Sequence, residues 1–206
     1  MSATTDRPTP PLRTGFTTGL CATACTRAAL LAWLGGHPVA VVAVRLPDGE
    51  PAEFAVERCE IAERSAACTV RKDGGDDPDA THGAIVGARV SWHPESGVEF
   101  RAGEGVGTVT LPGLPLPVGE PAINPAPRHM IEAVVLETLA EFGMTGGATV
   151  EVFVPGGAEI AARTLNPRLG IVGGISHRSK TDARGRSCRC VHRLHQIGRA
   201  SCRERV

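Results

Sequence analysis

The sequence predicts an α+β protein in which a mixed-sheet domain is followed by the opening of a parallel α/β unit. Three observations carry this. Short Val- and Ala-rich runs are separated by Pro- and Gly-containing turns between residues 39 and 111. Two long helical patterns, at about 20–34 and 125–142, interrupt them. A strand, glycine turn, short helix and second strand then follow one another from Ala148 to Val172.

Met1 to Leu12 is rich in Pro and Thr and is expected to be a disordered lead. Ordered structure is expected from Arg13. Thr14 to Ala22, T-G-F-T-T-G-L-C-A, is a hydroxyl-rich turn running into a helix from about Leu20 to Leu34 that Gly35-Gly36 closes. Thr17 or Thr18 can cap this helix, and the amide N–H groups of its first turn suit a carboxylate or another anion. Cys21 and Cys25 lie one turn apart, but no second pair of metal-ligand residues follows them, so they read as buried thiols.

Val39 to Leu46 reads as a buried strand that Pro47-Asp48-Gly49 turns into a second at Ala52 to Glu57. A third is expected at Ala66 to Arg71. It leads into V-R-K-D-G-G-D-D-P-D-A-T-H-G-A (Val70 to Ala84), where Asp73, Asp76, Asp77 and Asp79 crowd a turn set by Gly74, Gly75 and Pro78. Three chemistries fit this stretch: a cation or polar-ligand site, a carboxylate that handles a proton, or an aspartate that aligns His82. A solvated turn whose aspartates cap their own backbone fits it too. The D-x-D-x-D-G order of a calcium loop is missing.

Gly83 to Trp92, Val98 to Arg101 and Gly107 to Leu111 continue the strands. The six prolines between Leu111 and Met130 imply a rigid, extended arm, which ends at Asn124 as a helix N-cap with Pro125 in the first position. The helix to Phe142 is expected to bury Met130, Ile131, Val134, Val135, Leu139 and Phe142. Ala148 to Val154, the Pro155-Gly156-Gly157 turn, a helix at Ala158 to Leu165 and a strand at Leu169 to Val172 then read as the start of a Rossmann-like unit. Gly156, Gly157, Gly170, Gly173 and Gly174 stand where a cofactor backbone would approach, although G-I-V-G-G does not match G-x-G-x-x-G.

The net charge of zero hides two unlike parts. Residues 1–176 hold 13 Lys+Arg against 20 Asp+Glu, and residues 177–206 hold 9 against 2. The first part offers no surface for nucleic acid. No long apolar run or leader sequence is present, so a cytoplasmic protein with reduced cysteines and no membrane span is expected. After Ser176 the sequence has no structural period. Cys188, Cys190, His192 and His195 are spaced more tightly than zinc modules require. A zinc- or nucleic-acid-binding module built on this tail is the alternative function. The ending I-G-R-A-S-C-R-E-R-V resembles a translated sequencing-library adapter, which makes 177–206 an expected frameshifted, disordered tail. The expected divisions are therefore 1–12, 13–142, 143–176 and 177–206.

Four stretches together resemble the cobalt-precorrin-5B C1-methyltransferase family: Leu12 to Ala24, Val70 to Ala84, Leu111 to Arg128 and Thr164 to Ser176. The resemblance covers about the first half of a family member. It implies an N-terminal domain like the second domain of ribosomal protein S5, a truncated Rossmann-like domain after it, and a truncated copy of the enzyme, which an incomplete sheet can leave inactive. It further implies methyl transfer from S-adenosylmethionine to C1 of a cobalt-corrinoid, forming cobalt-precorrin-6A, with no resident metal. Asp76, Asp77 and His82 are then the catalytic candidates, and the five glycines are the cofactor candidates. Thr17, Thr18, Gly19 and Arg128 are candidates for the corrin carboxylates, because amide N–H groups and a guanidinium both suit an anion. Positioning alone can remove roughly 7 to 11 kcal/mol from such a barrier, so no catalytic triad is required.

Overall fold

The computed structural model describes residues 13–46, 48–76 and 78–178, and the backbone of 189–190. Its centre is helix α1 (Thr18–Gly35), whose sequence TGLCATACTRAALLAWLG is apolar or small on every side except at Arg27, which pairs with Glu141 at 2.8 Å. A helix without a polar face is stable only when it is covered all round. Here strands cover one side and a second helix covers the other. Thr17 caps it, its Oγ1 accepting from Leu20 N at 3.2 Å, and Gly36 ends it in the left-handed region at φ 72°.

Short strand β1 (Gly15–Phe16) precedes α1. The main sheet follows, formed by β2 (Val41–Arg45), β3 (Pro51–Ala62), β4 (Ser65–Arg71), β5 (Ile85–His93), β6 (Gly97–Ala102) and, after a gap in the chain, β8 (Gly147–Phe153). The strand order is β2-β3-β4-β5-β8-β6, antiparallel throughout except for β6 against β8. Along β2 and the first part of β3, residues alternate between buried and exposed, as befits a sheet with one packed face and one wet face. Ion pairs occupy the wet face, among them Arg89 with Glu151 and Arg71 with Glu57. A bulge between Val56 and Arg58 shifts the face that β3 presents.

Helix α2 (Pro125–Glu141) packs against α1 and buries Ile131, Val134, Val135, Thr138 and Leu139. Phe142, expected inside, is 44% exposed because it lies past the last helical turn. Asn124 makes no side-chain cap and instead donates from Nδ2 to the His177 carbonyl at 2.9 Å.

The expected division at residue 142 has no counterpart in the sheet. β8 lies between β5 and β6 and places Ala148, Val150 and Val152 in the same core as α1 and α2. The parallel strand–helix–strand unit is β6–α2–β8. The expected unit is not formed, because β8 and β9 (Ile171–Val172) belong to different sheets. Between them run α3 (Gly157–Ala162) and a 3-10 turn (Asn166–Leu169), and β9 pairs antiparallel with β7 (Thr108–Val109).

The proline-rich stretch is not an extended arm. Left-handed Gly113 and Gly119 double it back on β7, where Val109 N donates to Glu120 O at 3.0 Å and Gly119 N to Val109 O at 2.8 Å. Leu116, Ala122, Val109 and Ile171 close a small second core beneath it. The lead 1–12, Asp77 and most of 179–206 lie outside the described residues. In the tail, the backbone of β10 (Arg189–Cys190) pairs antiparallel with β1.

Candidate functional site

Strand register brings the motif stretches to one end of the sheet. Arg71 pairs with Ile85, Gly87 with Phe153, and Ala102 with Val152, so β4, β5, β6 and β8 all meet their loops there. The acidic turn, the start of α1, the glycine segments and the start of α2 therefore surround a common rim.

The acidic turn and the T-G-F-T-T-G turn are locked backbone to backbone. Phe16 N donates to Asp73 O at 2.7 Å and Asp76 N to Arg13 O at 3.1 Å. A Cβ on Gly15 would lie 2.0 Å from the Gly74 carbonyl carbon, so no larger residue fits. The aspartates divide their work. Asp73 Oδ1 accepts from Gly75 N at 2.8 Å, and its carboxylate pairs with the Arg13 guanidinium. The Gly75 N–H and then Arg13 hold the Asp73 carboxyl below the ordinary carboxylate range, against some desolvation. Asp76, which is exposed, accepts from Arg13 N at 2.6 Å.

Asp79 accepts from both the N–H and the hydroxyl of Thr81, each at 2.9 Å, and from Lys72 Nζ at 3.0 Å. Burial pushes the Asp79 pKa up, but the Thr81 N–H and the Lys72 charge outweigh it, so the net direction is down. Lys72, whose side chain is fully buried, was not among the sequence candidates. The signal was present: Ala66, Cys68 and Val70 face inward on β4, and the same two-residue period carries Lys72 inward as well. Arg13 was missed too, and nothing local in the sequence marks its partner sixty residues away.

His82 is exposed at the mouth of the turn, its Nδ1 accepting the Gly74 N–H at 3.0 Å. With Nδ1 engaged by the Gly74 N–H, Nε2 is the ring nitrogen left for a ligand.

Thr17, Thr18 and Gly19 are buried. A Cβ on Gly19 would meet Pro127 Cγ at 2.6 Å and the Arg178 carbonyl at 3.3 Å, so the starts of both helices abut. Arg128 is drawn inward: Nε donates to Ile123 O at 2.8 Å, one terminal nitrogen to Glu120 at 2.9 Å, and the guanidinium lies 4.9 Å from the Phe100 ring centroid.

The five glycines are not equivalent. Gly157 and Gly174 pack on Gly105, whose carbonyl oxygen would lie 2.3 Å and 2.1 Å from their added Cβ atoms. Gly170 packs on the Leu111 side chain, while Gly156 and Gly173, at φ 72° and 89°, face open space. Internal contact explains the first three, with backbone at Gly157 and Gly174 and with a side chain at Gly170.

The His177 side chain is fully buried, and neither ring nitrogen has a hydrogen-bond partner among the described residues. Desolvation lowers its pKa to about 4. Among the described residues no group of three or more His, Cys, Asp or Glu could hold a metal ion, and no helix is long and apolar enough to cross a membrane. Of the tail's Cys/His set, only the backbone of Cys190 is described.

A helix layer on one face of a mixed sheet, with polar loops gathered at one sheet end, defines an α+β domain with a composite loop site. The chain belongs to the CbiD family, whose model matches residues 5–177. It is 54% identical over 165 residues to a cobalt-precorrin-5B C(1)-methyltransferase of Geobacillus thermodenitrificans, covering 80% of this chain and 44% of that protein. It is 53% identical over 177 residues to the protein of the same name from Bradyrhizobium, covering 85% and 47%. The chain thus spans about half the length of the curated relatives it matches. Its fold is similar to the crystal structure of a cobalamin biosynthesis protein, cbiD, from Archaeoglobus fulgidus, with a TM-score of 0.61 and 34% identity over 81% of this chain and 52% of that one. The family match ends one residue past the composition break at Ser176.

Proposed function

We propose that the chain forms part of a methyltransferase that transfers a methyl group from S-adenosylmethionine to C1 of cobalt-precorrin-5B, giving cobalt-precorrin-6A. One observation carries this: the stretches shared with the family, far apart in sequence, gather at the same end of the sheet. In this reading Asp76 accepts the departing proton or faces a cationic group, together with its neighbour Asp77. His82 donates from Nε2 to a corrin carboxylate rather than acting as a base. Thr17, Thr18 and Gly19 form the floor, and Arg128 presents the exposed fifth of its side chain to a second carboxylate. Since Asp73 and Asp79 are neutralised by Arg13 and Lys72, an anionic substrate meets less repulsion than the sequence suggests.

Of the glycine set only Gly156 and Gly173 leave room for a methyl donor, and the other three do not fit that role. S-adenosylmethionine would supply an electrophilic methyl group on a sulfonium. A Rossmann-like domain completing the family length, the likeness to ribosomal protein S5 and a cytoplasmic location belong to the same proposal. The test is incubation of the chain with cobalt-precorrin-5B and S-adenosylmethionine, reading corrinoid binding by absorbance and methyl gain by mass. An unchanged corrinoid spectrum would overturn the reading. Methyl transfer within a few-fold of normal in a full-length relative carrying alanine at the positions of Asp76 and Asp77 would remove the turn from catalysis.

A further inference from the structure

At the end of the sheet away from the acidic turn, the β3–β4 hairpin sets two thiols opposite each other. Its loop is Glu63-Arg64, between the register partners Ala62 and Ser65. A two-residue hairpin loop is closed by a hydrogen bond across its flanking pair. From there the pairs alternate: Ala62 with Ser65 bonded, Ile61 with Ala66 not, Glu60 with Ala67 bonded, Cys59 with Cys68 not. At a non-bonded pair the Cα atoms of an antiparallel ladder stand about 4.5 Å apart, with side chains closer than at a bonded pair. A disulfide spans Cα separations of about 4.4 to 6.8 Å, so it can close here without moving the strands.

Both side chains lie on the helix-covered face, Cys68 buried and Cys59 half-buried. We propose that Cys59 and Cys68 form a peroxide-sensitive pair that closes to a cross-strand disulfide, an oxidative modification site remote from the acidic turn. Cys68 is buried and Cys59 half-buried, so Cys59 meets the oxidant first. The Cys59 sulfur attacks a peroxide oxygen, giving a sulfenic acid and one water. The Cys68 sulfur then attacks the sulfenic sulfur and expels a second water. Two thiols lose two electrons and two protons, and one hydrogen peroxide becomes two waters. Cys21 and Cys25 are buried within α1, with the Cys25 thiol donating to Val86 O at 3.1 Å, so this face gives them no comparable access.

The full chain, reduced and then treated with hydrogen peroxide, is alkylated, digested with trypsin and mapped by mass. Arginines at 58, 64 and 71 place the two cysteines in separate peptides, 59–64 and 65–71. The expected result is these peptides linked, with two hydrogens lost, and separated again by dithiothreitol. The oxidised chain should melt at a higher temperature than the reduced chain, and Cys59→Ser should lose both the link and the shift. Cys68→Ser, mapped the same way, serves if Cys59→Ser does not fold. The proposal is overturned if Cys59 and Cys68 are both alkylated after treatment, if Cys59 links to another cysteine, or if Cys59 proceeds to sulfinic acid while Cys68 is still alkylated.

Discussion

Replacing His177 by Leu should stabilise the protein, and by more at acid pH. The imidazole is fully buried, and both nitrogens are without a partner among the described residues. Leaving such a group unsatisfied costs about 1 to 3 kcal/mol, whereas a leucine of similar volume costs nothing of that kind. The pH term adds to this. The folded pKa, about 4, lies below the ordinary 6.5, so between these values the unfolded chain takes up a proton that the folded chain refuses. Stability is therefore full above pH 6.5 and is lost as pH falls toward 4. The loss is about 2 kcal/mol at pH 5 and approaches about 3 kcal/mol below pH 4. The assay is urea unfolding of both proteins at pH 7.5 and pH 5, comparing the difference between them so that the carboxylates common to both cancel. The leucine variant should lead by about 1 to 3 kcal/mol at pH 7.5, and its lead should grow by about 2 kcal/mol at pH 5. A variant that is less stable at pH 7.5, or whose lead does not change with pH, would refute the assignment of a buried, unpartnered ring at this position.

Lys72→Met should cost about 3 kcal/mol or more in denaturant, because it leaves Asp79 half-buried beside no cation. The Asp79 carboxyl is held below its ordinary value, so the pairing contributes above the ordinary carboxylate range and fades as pH falls below it, a loss the variant should not show. Gly15→Ala should cost about 3 kcal/mol through its clash with Gly74, and amide exchange should show 13–19 loosened. Gly36→Ala, left-handed but in open space, should cost only about 1 kcal/mol. Equal melting temperatures for the two glycine variants would contradict the tight contact at Gly15.

Elements whose signal is local were legible in the sequence. The α1 cap, the Gly36 stop and the Pro125 start depend on neighbours within a turn or two, and the strand runs of 41–46 and 65–71 on a period of two. The place of β8 was not legible, because its partners on β5 and β6 are more than forty residues away and no residue within Gly147–Phe153 says which edge it will join. A glycine turn followed by a short helix looks the same whether a cofactor or another glycine approaches it. At Gly157 and Gly174 the neighbour is Gly105. In the acidic turn, four aspartates were visible as a group, but their division of labour depends on Arg13 and Lys72. The inward turn of Lys72 could be read only by extending the period of β4 past its last apolar residue.

The late insertion of β8 also sets a timetable for biosynthesis. When β6 leaves the ribosome, β5 and β6 each hold an open ladder edge facing a slot that a segment some forty residues further on must fill. At roughly 5 to 20 residues per second, that interval lasts several seconds. For that time the nascent hairpins are exposed to pairing with other chains. Refolding in dilute solution should accordingly be slower than the helix content alone would suggest, with its slow step at the closing of β8 between its two neighbours.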